Sequence, residues 1–268
     1  MPGYPAGVHP EEEQLAGGTA NLGKVVRVGD TVRRPASAFT ESIFALLEHL
    51  HDVGFDHVQR PLGIDDQGRE ILSFIVGDVP IPPFPTWSMS AAALRSVARL
   101  QRRLHEAVKG FDASAFGWND ELADPNGGPV VGHNDICPEN VVFHDGEAIA
   151  FLDWDFAAPG RVLWDVASVI SMWGPMRDPS GPLAGMEGLE PFARARLVAD
   201  AYGMAEAQRR EIPDILVDRL SLSLVETRAA AGDPAFIDLL ARLGGEGRSE
   251  RRRRWLLDNI DALRSALL

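Results

Sequence analysis

The sequence has very little cysteine and no long apolar run. Its single cysteine, Cys137, cannot form an intramolecular disulfide and fits a reducing compartment. No apolar stretch approaches the roughly 18–20 residues that a helix needs to cross a bilayer. The acidic, proline-rich start MPGYPAGVHPEEEQ lacks the basic beginning and apolar centre of a secretory signal. We therefore expect a cytoplasmic protein with no membrane partner.

Positive charge is also scarce, since the formal net charge is −13. A phosphate backbone would be repelled except at a local basic patch, so we do not expect nucleic acid as a partner. RSERRRR, 248–254, is such a patch, and we interpret it as the solvated face of a final helix. Lysine is confined to Lys24 and Lys109, and arginine supplies the remaining positive charge. An acidic chain of this kind would attract a cationic small molecule at long range.

The first 76 residues predict a small sheet with one helix packed on it. KVVRV and TVRR alternate in polarity around a GD turn, and two further strands flank the turn DDQG. Residues 39–50 carry apolar positions at helical spacing. The segment VPIPPFPTW, 79–87, is too rich in proline for a helix or a sheet interior, so we interpret it as a hinge.

After the hinge the pattern becomes mostly helical. A long helix is predicted over Ser88–Val108, and further helices are predicted at roughly 162–175, 190–208, 212–231, 234–243 and 250–267. The fold class is therefore predicted to be α+β, with a small β-rich N-terminal lobe and a larger, mostly helical C-terminal lobe.

One segment, GHNDICPENVVFHDGEAIAFLDWDFA at 132–157, concentrates the polar side chains. VVFHDG and EAIAFLDW read as two strands joined by a tight turn, which would bring Asn140 close to Asp153. An amide and a carboxylate that meet at a loop mouth are oxygen ligands suited to Mg²⁺. Asp135 lies on the same loop, near the metal but not necessarily bound to it.

The order His133-x-Asp135-x4-Asn140 followed by Asp153 matches a phosphoryl-transfer template. On these residues the segment resembles the aminoglycoside phosphotransferase and choline kinase group, which are small-molecule kinases with a protein-kinase-like bilobal fold. The resemblance implies a nucleotide-binding lobe at 1–76, a hinge at 77–88 and a helical lobe with the acceptor site at 89–268.

The same resemblance implies a role for each residue of the motif. Asp135 would be the catalytic base, or would orient the acceptor hydroxyl. Asn140 and Asp153 would bind Mg²⁺. His133 would pack the loop, and Asp165, at the start of a helix, would brace the loop through its backbone.

Three positions near the motif depart from the family pattern or stay open. The family usually has glycine where Asn134 stands and often histidine where Cys137 stands. Cys137 is either an alkylation-sensitive thiol beside the base or a small filler of the loop. Asp155 either assists a second metal ion or caps the next turn.

A kinase also needs a cation on the nucleotide phosphates, and the candidate strand TVRR has no lysine. Arg34 fits this role best, with Arg33 and Lys24 as alternatives, because arginine also binds phosphate. The two arginines could instead be solvated edge residues. Glu41, at the start of the following helix, is the expected carboxylate partner of the arginine, unless it is only a first-turn acid.

Two further segments complete the implied nucleotide site. GGTAN, 17–21, would cover the phosphates, with Gly17, Gly18 and Thr19 letting backbone N–H groups approach the anion. The end of a strand near Ser73 and Ile75 would offer backbone groups to the purine edge. ATP and GTP both fit this scheme.

Three functions are compatible with these residues. The favoured one is an ATP- or GTP-dependent O-phosphotransferase acting on a hydroxylated small molecule, which would include an aminoglycoside or another antibiotic. Acidic residues near the helical lobe, Asp178, Glu187 and Glu190, would then bind a cationic acceptor, unless they are ordinary surface charges. The alternatives are a catalytically silent ligand-binding or immunity protein and a metallohydrolase that uses His133, Cys137 and His144 with the aspartates.

Overall fold

A computed structural model describes residues 12–15, 23–177 and 184–268. An antiparallel N-terminal sheet is followed by a mostly helical part, which confirms the predicted α+β class. Gly17, Gly18 and Thr19 of the expected phosphate loop lie outside the described residues, as does Asp178. Among the residues described, no helix is both long and apolar enough to cross a membrane.

The N-terminal sheet contains both predicted hairpins. Its strands are β1 (Glu13–Gln14), β2 (Val26–Val28), β3 (Thr31–Pro35), β4 (Pro61–Ile64) and β5 (Arg69–Ser73). They lie in the order β1-β2-β3-β5-β4 with antiparallel neighbours. Helix α1 (Thr40–Asp52) joins β3 to β4 and buries its predicted apolar face. Alternation along β3 turns Val32 and Arg34 inward, whereas Arg33 stays half-exposed.

The second part begins with α2 (Ala91–Ala107), whose N-terminus is capped by the Ser90 side chain. Four short strands follow: β6 (Val130–Gly132), β7 (Val141–His144), β8 (Glu147–Phe151) and β9 (Ala158–Gly160). Strand β6 pairs with β9, and β7 pairs with β8, both antiparallel. The predicted sequence-local hairpin is therefore present, whereas the β6–β9 pair was not predicted.

The C-terminal helices are shorter and more numerous than predicted. They are α3 (Val162–Trp173), α4 (Pro191–Tyr202), α5 (Glu206–Leu220), α6 (Leu224–Ala230), α7 (Pro234–Arg242), α8 (Arg248–Asp258) and α9 (Ile260–Leu267). The helix predicted at 190–208 ends early because Gly203 adopts a left-handed conformation with φ 80°. Each of the segments predicted as one helix at 212–231 and 250–267 contains parts of two helices. In the segment 250–267 the break lies at Asn259.

The β7–β8 hairpin is bonded to the connection between α1 and β4 and to the segment that follows β5. Phe151 N donates to His57 O at 3.0 Å, and Phe143 exchanges two 2.8 Å backbone hydrogen bonds with Asp78. Val141, Phe143 and Phe151 are fully buried in one continuous apolar core. Because of these bonds, the two ends of the hairpin are held beside the inner face of β3.

Candidate active site

The loop between β6 and β7 carries Asp135 and is held by the residue before it. Asn134 has φ 63°, a left-handed conformation that asparagine tolerates better than most residues, which explains why the related family favours glycine here. Its N–H donates to Asp165 Oδ1 at 2.5 Å, and its carbonyl accepts from Ser168 Oγ at 3.0 Å and from Arg219 Nη2. The backbone N–H and the backbone carbonyl of Asn134 are therefore both hydrogen-bonded.

Asp135 is half-buried, and the side chain of Asn140 holds it in place. Asn140 Nδ2 donates to Asp135 O at 2.9 Å and to Asp135 Oδ2 at 3.2 Å. Burial, followed by the charge of Asp153, raises the pKa of Asp135 to about 8. Of the cations in the described chain, Arg219 opposes this rise most strongly.

The hairpin brings Asn140 and Asp153 to the same end, as its spacing predicted. Val141 pairs with Phe151, and Leu152 N donates to Asn140 O at 2.9 Å, so Asp153 follows immediately beside the loop. The turn at the far end has positive φ at Asp145 and Gly146, which suits the twist of the strands. Asp153 also has a left-handed φ of 61° and keeps its carboxylate about one-third exposed.

Arg34 lies at the centre of three carboxylates. Its Nη1 donates to Asp153 Oδ1 at 2.9 Å, its Nη2 to Asp155 Oδ1, and its Nε to Glu70 Oε2. Burial alone would lower the pKa of Arg34, but the charges of Asp155, Asp153 and Glu70 outweigh it and raise the pKa well above its ordinary value. Arg34 therefore stays charged and reaches the end of the β7–β8 hairpin.

The prediction that Glu41 pairs with Arg34 is wrong. Glu41 is exposed on α1, whereas Glu70 is fully buried and also accepts from Thr40 Oγ1 at 2.5 Å. Glu70 lies directly opposite Arg34 in the β3–β5 ladder, where a side chain on the same face can reach it. The carboxylate therefore comes from a strand instead of the helix.

The other candidates for the nucleotide side are placed less favourably. Arg33 donates to Thr31 Oγ1 at 2.6 Å and faces Asp65, and Lys24 is exposed in a turn. The backbone N–H of Ser73 is already used by Arg60 O at 2.9 Å, and Ser73 O accepts from a glutamine side chain. Within the described residues, the backbone of Ile75 makes no hydrogen bond and stays available to a base edge.

His133 is completely buried under the loop and has the packing position that was predicted. Its Nε2 donates to Leu152 O at 2.8 Å, and its Nδ1 accepts from Asp135 N at 3.3 Å, an assignment of the neutral tautomer from the bonding network. Its ring lies 4.6 Å from that of Trp154. Burial lowers the pKa of His133, so the ring is neutral.

Asp165 is buried and contacts the loop backbone through Asn134 N. Its Oδ2 also accepts from His105 Nε2 at 2.8 Å and from Gln101 Nε2 at 2.9 Å. Burial would raise the pKa of Asp165, but the hydrogen bond and charge of His105 outweigh it and hold the pKa well below its ordinary value. His105 Nδ1 in turn contacts Tyr202 Oη at 2.7 Å.

Sequence reasoning missed Gln101, His105 and Arg219. Gln101 and His105 stand one helical turn apart within the apolar stripe of α2, where polar residues are out of place, so the pattern carried a usable signal. Arg219 stands at helical spacing from the buried Ile212, Ile215 and Leu216 of α5, so the same signal was present there. Its partner is a backbone carbonyl far away in sequence.

The arrangement fits Mg²⁺ held jointly with phosphates better than a metal ion held by side chains alone. Asp135, Asp153 and Asp155 lie near one another, with Arg34 bound to two of them and Arg219 acting on the third, so the carboxylates outnumber the buried arginines. Asn140 Nδ2 bonds Asp135, which leaves its Oδ1 as an oxygen ligand. In the part of the chain that the structure describes, no three His, Cys, Asp or Glu residues are placed to hold a metal ion. His144 is exposed at the opposite end of the hairpin, which disfavours the metallohydrolase interpretation.

Comparisons with known proteins identify the family. The family model APH, described as "Phosphotransferase enzyme family", matches residues 23–206. The chain is 31% identical to the trifolitoxin immunity protein of Rhizobium leguminosarum bv. trifolii over 202 residues, which are 72% of this chain and 75% of that protein.

Solved structures include proteins with a similar fold. One is a choline/ethanolamine kinase family protein from Mesorhizobium loti, with a TM-score of 0.64 and 18% identity over 98% of this chain and 94% of that one. Another is the GDP complex of aminoglycoside 2'-phosphotransferase-IIIa, with a TM-score of 0.63 and 14% identity over 96% and 95% of the two chains. At these identities the likeness concerns the fold.

Proposed function

Since the chain belongs to the phosphotransferase enzyme family, we propose that it transfers the γ-phosphate of ATP or GTP to a hydroxyl group of a small molecule. The observation that supports this most is the meeting of Asp135, Asn140 and Asp153 with Arg34 from the N-terminal sheet. These residues come from distant parts of the sequence, yet they form one polar site with the residue types that phosphoryl transfer requires.

Asp135 is the group that orients the acceptor hydroxyl and receives its proton during in-line attack on the γ-phosphate. Asn140 holds the Asp135 carboxylate in place through its Nδ2. Mg²⁺ bound by Asn140 and Asp153 would neutralise charge on the phosphate oxygens. Such a cation would also offset the effect of Asp153 and lower the pKa of Asp135 toward the ionised state.

Arg34 supplies the cation for the nucleotide phosphates. Its planar guanidinium is already held by Glu70 through Nε, and its two Nη groups point to Asp153 and Asp155. In the nucleotide complex these Nη groups would turn to phosphate oxygens, for which they have matching geometry. Glu70 would keep the arginine in place during this exchange.

The domain scheme of the sequence analysis belongs to the same proposal. Residues 1–76 would bind the nucleotide, 77–88 would act as the hinge and 89–268 would hold the acceptor. Gly17, Gly18 and Thr19 would cover the phosphates, and Ile75 would contact the base. The absence of helix and strand from 79–87, together with the backbone bonds of Asp78 to the β7–β8 hairpin, supports this division.

A nucleotide-consumption screen tests the proposal. Purified protein with Mg-ATP or Mg-GTP is assayed against hydroxylated antibiotics, sugars, amino alcohols and hydroxy acids, with Asp135→Asn as the control. We expect acceptor-dependent release of the nucleoside diphosphate, reduced by several orders of magnitude in the variant while nucleotide binding persists. Equal turnover in the two proteins would refute the role of Asp135.

A second function is favoured by the 31% identity to a toxin immunity protein. In this case the chain would protect a cell by binding a toxin without phosphorylating it. The two functions separate when a toxin-sensitive strain expresses either the natural chain or Asp135→Asn. Protection that survives the substitution supports binding alone, whereas protection that is lost with equal protein levels supports transfer.

A further inference from the structure

Three arginines of the helical part lie close enough to Arg252 for their charges to act on it. The arginine cluster consists of Arg177, just after α3, Arg219 on α5, and Arg248 and Arg252 on α8. Arg219 Nη2 donates to the carbonyl of Asn134, next to Asp135. Arg252 Nε donates to Met176 O at 3.4 Å, which places α8 against the end of α3.

The members of the cluster are turned inward, in contrast to their neighbours on the same helix. Arg248 and Arg252 are one turn apart and half-buried, whereas Arg251 and Arg254 are exposed. The interpretation of RSERRRR as a solvated face is therefore wrong for these two arginines. Their inward placement brings positive charge into the helical part of a chain whose net charge is −13.

The charge of Arg252 lies in an unfavourable environment. Burial, followed by the charges of Arg248, Arg177 and Arg219, lowers the pKa of Arg252 well below its ordinary value. Burial also lowers the pKa of Arg219 to about 10. Glu226 is the acid that acts on Arg248 and Arg252, and it also accepts from the Ser249 N–H at 3.2 Å and from the Ser249 hydroxyl.

Two hydrogen-bond donors in the cluster have no acceptor among the described residues. Arg219 is only 5% exposed, yet its Nη1 is buried without a partner. The Nε of Arg248 is in the same state. A buried guanidinium N–H without an acceptor is destabilising, so a ligand that supplies an acceptor would be bound favourably.

From this geometry we propose that the acceptor carries an anionic group, a carboxylate or a phosphate, which the arginine cluster binds while Asp135 receives the hydroxyl. This inference rests on the proposed phosphotransferase function. Arg219 lies between Asp135 and the rest of the cluster. It contacts the carbonyl of Asn134, next to Asp135, and its charge also acts on Arg252. Guanidinium groups match both anions through paired N–H donors.

The same placement argues against a polycationic acceptor. Of the three acids expected to bind one, Asp178 lies outside the described residues, and Glu187 and Glu190 are exposed. Glu187 already accepts from Gly185 N at 2.8 Å. A cationic group that entered beside Arg219 and Arg252 would be repelled, with little solvent to screen the charges. The cluster therefore selects the sign of the acceptor charge.

The test compares Arg252→Gln with Arg254→Gln, a matched control on the exposed face of the same helix. The probes are D-glycerate and glycerol 3-phosphate, with glycerol and choline as neutral and cationic partners of similar size. Binding is measured calorimetrically, with a non-hydrolysable Mg-nucleotide filling the nucleotide site and again without it, and transfer is measured by nucleotide consumption. We expect at least one anionic probe to bind, about tenfold or more weakly in Arg252→Gln and unchanged in Arg254→Gln.

A stability measurement guards against a purely structural role. Without ligand, Arg252→Gln should unfold at the same or a higher temperature, because it removes a charge that burial and three neighbouring arginines disfavour. A lower midpoint with unchanged anion binding would overturn the inference, as would equal binding of glycerol and choline or no binding of either anion to the natural chain. A chain that binds the anions but no Mg-nucleotide would instead refute the proposed function and leave the cluster as an anion site.

Discussion

Replacing Asp135 by asparagine should abolish transfer and at the same time stabilise the nucleotide-free protein. The pKa of Asp135 is raised from an ordinary 3.8 to about 8, so the folded protein holds a proton there that the unfolded chain releases. Its contribution to stability is fully present below the ordinary pKa and is lost as the pH rises through about 8. Asparagine has no such proton to lose, and its carbonyl oxygen still accepts from Asn140 Nδ2.

The size of the effect follows from the shift. At about 1.4 kcal/mol per pKa unit, the shift sets a ceiling of roughly 5–6 kcal/mol on the gain at high pH. Asp135 is half-buried, so solvent screens part of this interaction, and we expect about 1–3 kcal/mol at pH 8. The gain should shrink toward zero near pH 4, where both proteins are neutral at this position.

Urea unfolding at several pH values between 5 and 8 measures the difference directly. The unfolding free energy of Asp135→Asn should exceed that of the natural chain by an amount that grows with pH. Adding Mg²⁺ with a non-hydrolysable nucleotide should narrow the gap, because the cation favours the ionised carboxylate. A difference that does not change with pH, or a variant less stable at pH 8, would refute the account of charge at this site.

Three further predictions follow from the contacts around the loop. Glu70→Gln should raise the KM for Mg-nucleotide about tenfold, since it removes a buried charge partner of Arg34, whereas Glu41→Gln should leave KM unchanged; equal effects would contradict the pairing with Glu70. Asp165→Asn should lower the unfolding free energy by about 3–5 kcal/mol and reduce kcat, because an amide cannot accept from every donor that the carboxylate serves. Urea unfolding and kinetics check this result, and a loss of unfolding free energy below about 1 kcal/mol would refute it. Cys137 should react with iodoacetamide at pH 7.5 far more slowly than a free thiol, followed by mass spectrometry, because burial and then the charge of Asp135 raise its pKa; rapid alkylation would show that the thiolate is accessible.

The catalytic half of the site could be predicted because its geometry is local in sequence. A tight turn and two short strands fix which residues end up side by side, so the positions of Asn140 and Asp153 follow from their spacing. Left-handed backbone at Asn134 and Asp153 was not predicted, since it depends on how the loop packs on α3. The family resemblance did imply, however, that Asn134 stands where glycine is usual.

The partner of Arg34 could not be predicted because it depends on pairing between strands that are not consecutive. Strands β3 and β5 are neighbours in the sheet, with α1 and β4 between them in the chain. A shift of the register by one residue would turn Glu70 to the other face of the sheet. Family resemblance favoured the helix carboxylate, but the helix start at Thr40 leaves Glu41 in solvent and uses the Thr40 hydroxyl to support Glu70.

The segment RSERRRR was misinterpreted for a related reason. A run such as RSERRRR has no apolar stripe to show which side of the helix faces inward, so its charges suggest solvent on every side. Only the packing of α8 beside α5 and the end of α3 selects Arg248 and Arg252. The residues that we propose to bind the acceptor are then the ones that local sequence patterns identify least well.

The two halves of the site also differ in how they are stabilised, and this difference bears on function. Asn134 N donates to Asp165, and the side chains of Asn134 and His133 bond the carbonyls of Phe156 and Leu152, so these groups of the loop have partners before any ligand binds. In the arginine cluster, by contrast, donors of Arg219 and Arg248 lack acceptors within the described chain. A preorganised base next to an unsatisfied binding region is the arrangement expected when binding energy from a remote group of the acceptor positions its hydroxyl for reaction. An acceptor that keeps its hydroxyl but loses its anionic group should therefore lose kcat as well as affinity, because the hydroxyl would no longer be held against Asp135.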